Sequence, residues 1–127
     1  MTISPSFSTS ILSNSTIRKY TGSVGFASHA EGLYTIADGT ASHAEGSSTR
    51  AYGSYSHAEG DSTIANNEAE HAEGKFNVSH SSTISSIGIG SASNDRKNAF
   101  EVLGNGDIYV KGLGSYDGTS ISNVSTL

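Results

Sequence analysis

Small and bulkier side chains alternate along two short runs that keep returning through the middle of the chain. In Ser28-His29-Ala30-Glu31 an extended strand would point Ser28 and Ala30 to one side and His29 and Glu31 to the other; in Thr35-Ile36-Ala37-Asp38 the small pair is Thr35 and Ala37. The first run recurs as Ser-His-Ala-Glu-Gly from Ser28, Ser42 and Ser56, then as Glu-His-Ala-Glu-Gly from Glu70, so His29, His43, His57 and His71 are 14 residues apart. The second run, Thr-x-Ala-x-Gly from Thr35 and Thr49 and Thr-x-Ala-x-Asn from Thr63, follows seven residues behind. A helix does not fit, because the repeat is rich in Gly, Ser and Thr and has no Leu or Ile stripe at helical spacing.

Seven residues provide about four for a strand, rising ~3.3 Å each, and about three for a tight turn. A 14-residue unit therefore predicts one flattened coil of two short strands, stacked on its neighbours as parallel strands. Identical residues one coil apart then form ladders, which bury a core no single repeat could bury. The interior would be thin and filled by Ser, Thr and Ala, with hydroxyls bonding backbone or one another. Gly32, Gly46, Gly60 and Gly74 end the first strand and Gly39, Gly53 and Asn67 the second; these residue types tolerate the positive φ that sharp corners demand.

The phase extends upstream to Thr21-Gly-Ser23-Val-Gly25. Downstream it runs through Asn77-Val-Ser79 and Ile84-Ser-Ser-Ile-Gly88, with Ser91-Ala-Ser93 as a last half-coil, which places the repeats at residues 21–95. Residues 1–20 hold the only Pro and scattered apolar residues, and predict an extended arm that caps the first coil or docks on a larger assembly. In residues 96–127, Asn98–Leu103 and Asp107–Lys111 flank Gly104-Asn105-Gly106 and predict a β-hairpin cap ahead of a Gly-rich tail.

Composition changes this picture in one respect. Only 34% of the 127 residues are hydrophobic and there is no Trp, so a Ser/Thr/Ala interior at ~25 cal/mol per Å² is a weak core. The outer faces of the coils are therefore expected to be buried against other copies of the chain. A disordered Ser/Gly linker has a similar composition but does not explain a register kept through four copies. Net charge is −5 and the seven basic residues are scattered, which argues against a nucleic-acid partner. Zero Cys excludes disulfides and thiolate metal sites. The start Met1-Thr-Ile-Ser-Pro-Ser has neither a basic nor an apolar leader segment, and no apolar run approaches the ~18 residues of a membrane span, so no membrane association is expected.

Candidate chemistry lies in the pairs His29/Glu31, His43/Glu45, His57/Glu59 and His71/Glu73, each on one face at i and i+2. One reading is a structural ladder in which each His donates to a Glu on its own or an adjacent chain. A second is a metal site, since His-x-Glu supplies borderline and hard donors. A third, acid–base catalysis, fits poorly with a site repeated four times along a ladder with no nucleophile; no enzyme activity and no cofactor are expected. Imidazoles stacked ~5 Å apart would repel if all were charged, which predicts acid sensitivity. Tyr34, Tyr52, Tyr55 and Tyr116 are candidates for a ligand surface.

The half-repeat Ser/Thr-x-Ala-x-Gly resembles the heads of YadA-type trimeric autotransporter adhesins, and that likeness implies a left-handed parallel β-roll assembled as a homotrimer. Ser-His-Ala-Glu-Gly itself is similar to repeats in bacteriophage appendages, fibres and spikes, where it stands beside segments similar to Ser91–Val102 and Asn105–Tyr109. The likeness covers residues 21 to about 118. Autotransporters add a signal peptide and a membrane barrel, and the self-cleaving phage spikes add a longer C-terminal domain, neither of which these residues contain. The resemblance therefore implies a short trimeric fibre or decoration protein of a virion, on capsid or tail, joined to other virion proteins through the N-terminal arm, with the His/Glu ladder meeting around the three-fold axis. The alternative is an adhesin tip that binds a receptor or a host cell-surface glycan.

Overall fold

The two alternating runs become two stacks of parallel strands. The computed structural model describes residues 24–112, together with short backbone strands at 115–116 and 121–122. The Ser-His-Ala-Glu-Gly copies and their Glu-headed fourth form β1 (His29–Leu33), β3 (His43–Ser47), β5 (His57–Asp61) and β7 (His71–Lys75). The Thr-x-Ala runs form β2 (Ile36–Ala37), β4 (Arg50–Ala51) and β6 (Ile64–Ala65). Every pairing within these stacks is parallel and offset by one repeat, as in His29↔His43, Ala44↔Ala58 and Ala51↔Ala65. The described residues form an all-β parallel solenoid of about four coils with a 14-residue period.

β8 (Thr83–Ile89) keeps that register on β7, pairing His71↔Ser85 and Gly74↔Gly88. Direction then reverses. β9 (Asn98–Leu103) runs antiparallel to β8, and β10 (Ile108–Val110) runs antiparallel to β9 with Val102 opposite Ile108. The larger sheet thus has the order β1-β3-β5-β7-β8-β9-β10, and the smaller is β2-β4-β6. Two further short strands, β11 (Ser115–Tyr116) and β12 (Ile121–Ser122), pair with each other. The N-terminal arm, residues 21–23 and most of the Gly-rich tail lie outside the described residues.

Between the sheets the interior is as thin as the alternation predicts. Ala37, Ala44, Ala51, Ala58, Ala65 and Ala72 are wholly buried, and Thr35, Thr49, Thr63, Ser42 and Ser56 lie among them. Except at Thr35, whose Oγ1 is buried without a partner, the hydroxyls bond nearby backbone carbonyls and not one another. Ser42 donates to Gly39 at 2.7 Å, Ser56 to Gly53 at 2.6 Å, and Thr63 to Glu59 at 2.9 Å. A buried hydroxyl without such a partner costs about 1–3 kcal/mol, so these local bonds make a polar interior tolerable.

The corners differ from the expectation. Gly32, Gly46, Gly60 and Gly74 do have left-handed backbone, with φ of 90–108°, but Gly39, Gly53 and Asn67 do not. Left-handed φ instead falls at Ala27, Tyr34, Ala41, Ser48, Tyr55, Ser62, Ala69 and Phe76, one residue in every seven. Such a conformation costs a non-glycine residue about 1–2 kcal/mol. It turns the amide toward the preceding coil, where Ser48 donates to the Leu33 carbonyl at 2.7 Å and Tyr55 to that of Thr40 at 2.8 Å. Gly39 and Gly53 are required for proximity, because a Cβ on Gly39 would stand 2.0 Å from the Gly53 carbonyl oxygen.

The smaller sheet stops where the consensus fades. In earlier coils Ile36 and Arg50 donate to the main-chain carbonyls of Thr49 and Thr63. Ile64 donates instead to the side-chain Oδ1 of Asn77 at 2.7 Å, and Asn77 Nδ2 returns a bond to the Ile64 carbonyl at 3.0 Å. Ser79 Oγ likewise takes the Asn66 amide, and the Asn98 side chain closes on both main-chain groups of Val78. Side chains thus replace the next strand, covering an edge that would otherwise offer bare pairing groups. Ser91–Ser93 is not a half-coil: Ser91 to Asp95 form a tight turn, closed by an antiparallel bridge between Ala92 and Asp95. Arg96 pins that turn down, donating to the Ser62 and Asn77 carbonyls with its guanidinium over the Phe76 ring.

Candidate functional site

Parallel in-register stacking turns each outward residue of β1, β3, β5 and β7 into a row. With Ala30, Ala44, Ala58 and Ala72 facing inward, the histidines and glutamates on either side of them stand on the outer face of the larger sheet, half-buried for the most part. The imidazole rings follow one another at 5.0, 4.6 and 4.9 Å between centroids, and the last two steps are stacked within 15° of parallel.

The carboxylates reach across coils more than along them. His57 Nε2 lies 3.1 Å from Glu45 and His71 Nε2 lies 3.3 Å from Glu59, each Glu belonging to the preceding coil. His29 pairs with Glu31 of its own strand at 3.1 Å. His43 Nε2 sits between two carboxylates, 3.6 Å from Glu31 and 4.0 Å from Glu45; this nitrogen is shielded from solvent and hydrogen-bonded to neither. The row ends at β8, where Ser85 takes the histidine position and Ile87 the glutamate position. Glu73 accordingly makes no ion pair among the described residues.

Of the tyrosines, Tyr34 and Tyr55 are each 60% exposed and Tyr52 is 41% exposed. Tyr34 and Tyr55 stand at left-handed corners on different edges of the coil, so the fold does not gather them into one row. Tyr116 is in β11, and its side chain lies outside the described residues.

Two buried carboxyls were not visible as special in the sequence. Glu70 replaces the inward serine of the fourth copy and is wholly buried; its Oε2 accepts from the Asn67 amide, Asn67 Nδ2 and Ser79 Oγ, whereas Oε1 has no partner. Burial outweighs those bonds and pushes its pKa above the ordinary glutamate value of 4.5. Its neutral form therefore fits the fold better, a contribution present below pH 4.5 and lost as pH rises through the raised value. Glu70→Gln keeps an acceptor and removes the charge. It is expected to raise the melting temperature at pH 7 by about 5 °C, roughly 1 kcal/mol, with most of that gain gone at pH 4; equal gains at both pH values would contradict this account.

Glu101 behaves oppositely. Burial pushes its carboxyl up, but hydrogen bonds from Thr83 and His80 and the attraction of His80 outweigh burial, so it titrates below the ordinary value. His80 Nδ1 is 2.7 Å from Glu101, and these two residues line a hollow of about 320 Å³ with Ser82, Leu103 and Tyr109. Nothing in the repeat signals this pair, since its members lie 21 residues apart on a loop and on β9.

Among the described residues no helix is long and apolar enough to cross a membrane. No family model, no curated protein and no solved structure matches this chain.

Proposed function

We propose that the chain is a non-catalytic structural protein that works as a homotrimer, three left-handed β-rolls side by side, forming a short fibre or decoration element of a bacteriophage particle. The observation that carries this reading is the interior: among the described residues the buried apolar core consists of alanine alone, while Phe26, Leu33, Ile84, Ile87 and Ile89 are left exposed. Such a core buries little apolar area per residue, and copies packed side by side supply what it lacks. The His/Glu row is the face proposed to meet the other chains, because in-register rows present each neighbour with the same chemistry at every coil. The antiparallel β8-β9-β10 edge is proposed to cap one end, and residues 1–20 to dock on other virion proteins.

An adhesin tip is the second reading, favoured by Tyr34 and Tyr55, bulky aromatic residues each left 60% exposed.

Light scattering at neutral pH tests the first reading. The expected mass is three times the 13.1 kDa of one chain. A folded monomer would remove the trimer and the proposed role of the row together.

A further inference from the structure

We propose that the outer His/Glu row is a divalent transition-metal site with two alternating seats in each chain, His29/Glu31/His43 and His57/Glu59/His71. In each trio the ligand atoms lie within 4.8 Å of one another, and the overlapping trio His43/Glu45/His57 meets the same limit.

Distances within the first seat are close to those an ion imposes. Zinc bonded at ~2.0–2.2 Å to imidazole nitrogen and carboxylate oxygen holds its ligand atoms roughly 3.3–3.5 Å apart along the edges of a tetrahedron. Glu31 Oε1 stands 3.1 Å from His29 Nε2 and 3.6 Å from His43 Nε2, on either side of that value. The edge between the two histidines is no longer than 4.8 Å, and the His29 side chain, 63% exposed in the single chain, has room to turn. In the last seat Glu59 lies 3.3 Å from His71, whereas His57 points to Glu45 at 3.1 Å and must turn to Glu59 for this seat to close, its ligand atoms being within 4.8 Å of one another.

A second observation points to a ligand independently of this clustering. His43 Nε2 is shielded from water, flanked by two carboxylates and hydrogen-bonded to nothing. A buried ring nitrogen ordinarily has a partner, and a cation between His43 and Glu31 supplies one. Two imidazoles and one carboxylate form a borderline donor set that suits zinc, nickel, cobalt or copper, and not calcium or magnesium, which take mostly oxygen. Three protein ligands leave the remaining position to water.

Sharing limits the count. His43 belongs to the first and central trios and His57 to the central and last, so neighbouring trios cannot fill together. Every ligand of a seat comes from one chain, and the site does not rest on the proposed trimer.

Isothermal titration of the full chain, free of any affinity tag and stripped with chelator, tests this with zinc chloride. Binding is expected to saturate at two ions per chain. Glu45→Gln, which touches only the central trio, is expected to keep two. His43→Ala is expected to keep one, and the His43→Ala/His57→Ala double variant none. These side chains are 35–38% exposed in the single chain but lie on the face proposed to meet other copies, so circular dichroism and light scattering without metal accompany each titration, and ion counts are compared only between variants that keep the parent's spectrum and mass. Absence of saturable binding, a loss of one ion in Glu45→Gln, or retained binding in the double variant would each overturn the proposal.

Discussion

Gly53→Ala is expected to unfold the stack at temperatures where the parent chain is fully folded. A Cβ at this position would stand 1.9 Å from the Asn67 carbonyl oxygen and 2.4 Å from its carbon, and both are backbone atoms of the next coil. Neither can retreat cheaply. The Asn67 amide is held by Glu70, and Gly53 itself donates to the Ala65 carbonyl. Relief requires the coils to part, breaking ladder bonds on both sheets, so a loss of at least ~3 kcal/mol is expected, a large share of the 5–15 kcal/mol that holds a domain. Gly106→Ala is the control: its φ of 97° strains alanine, yet a Cβ there meets nothing within 4 Å. Thermal melts should show the Gly53 variant falling much further than the Gly106 variant, and the reverse order would mean that the coils are not spaced as described.

Asn77→Leu is expected to be nearly as damaging, although leucine is of similar size. Asn77 is wholly buried, and its amide serves the Ile64 amide at 2.7 Å, the Ile64 carbonyl at 3.0 Å and Ser86 Oγ at 2.9 Å. Leucine would strand three polar groups at ~1–3 kcal/mol each, and even partial rescue by water leaves a loss of about 2–4 kcal/mol. Asn77→Asp should also fail, because it keeps the acceptor but loses both donated bonds and brings a charge into the interior. Hydrogen exchange at the Ile64 amide gives the local readout. A leucine variant with unchanged melting temperature and a slow Ile64 amide would refute the replacement of a strand by this side chain.

These two residues also mark how far the sequence was legible. The period, the inward alanines and the outward His/Glu row were readable because every coil presents the same environment, so chemistry and spacing repeat together. Gly53 was legible as a required glycine, but for a conformational reason that belongs to Gly46; a backbone that must turn and a backbone that must be approached select the same residue. The true left-handed corners were hidden because Ala41, Ser48 and Tyr55 share no type that announces positive φ. Asn77 and Ser79 read as a fading consensus, Asn67 as a corner and Glu70 as a variant head of the fourth copy, although side-chain bonds among Asn67, Glu70 and Ser79, and from Asn77 to Ile64, are what end the smaller sheet. The His80–Glu101 contact depends on the reversal of β9 against β8, which no local pattern encodes. The sharing of His43 and His57 between trios is a matter of side-chain reach, which spacing alone does not give.

The closing side chains of Asn77, Ser79 and Asn98 lie at one end of the smaller sheet, beyond the last regular coil. The coil from Ser42 to Tyr55 is paired on both sides with coils like itself, so a 14-residue copy of it added there alters neither end. Length is thereby decoupled from foldability. One duplication extends the rod by ~4.8 Å, and a lineage carrying such a gene can change reach in even steps while the terminating chemistry stays as it is.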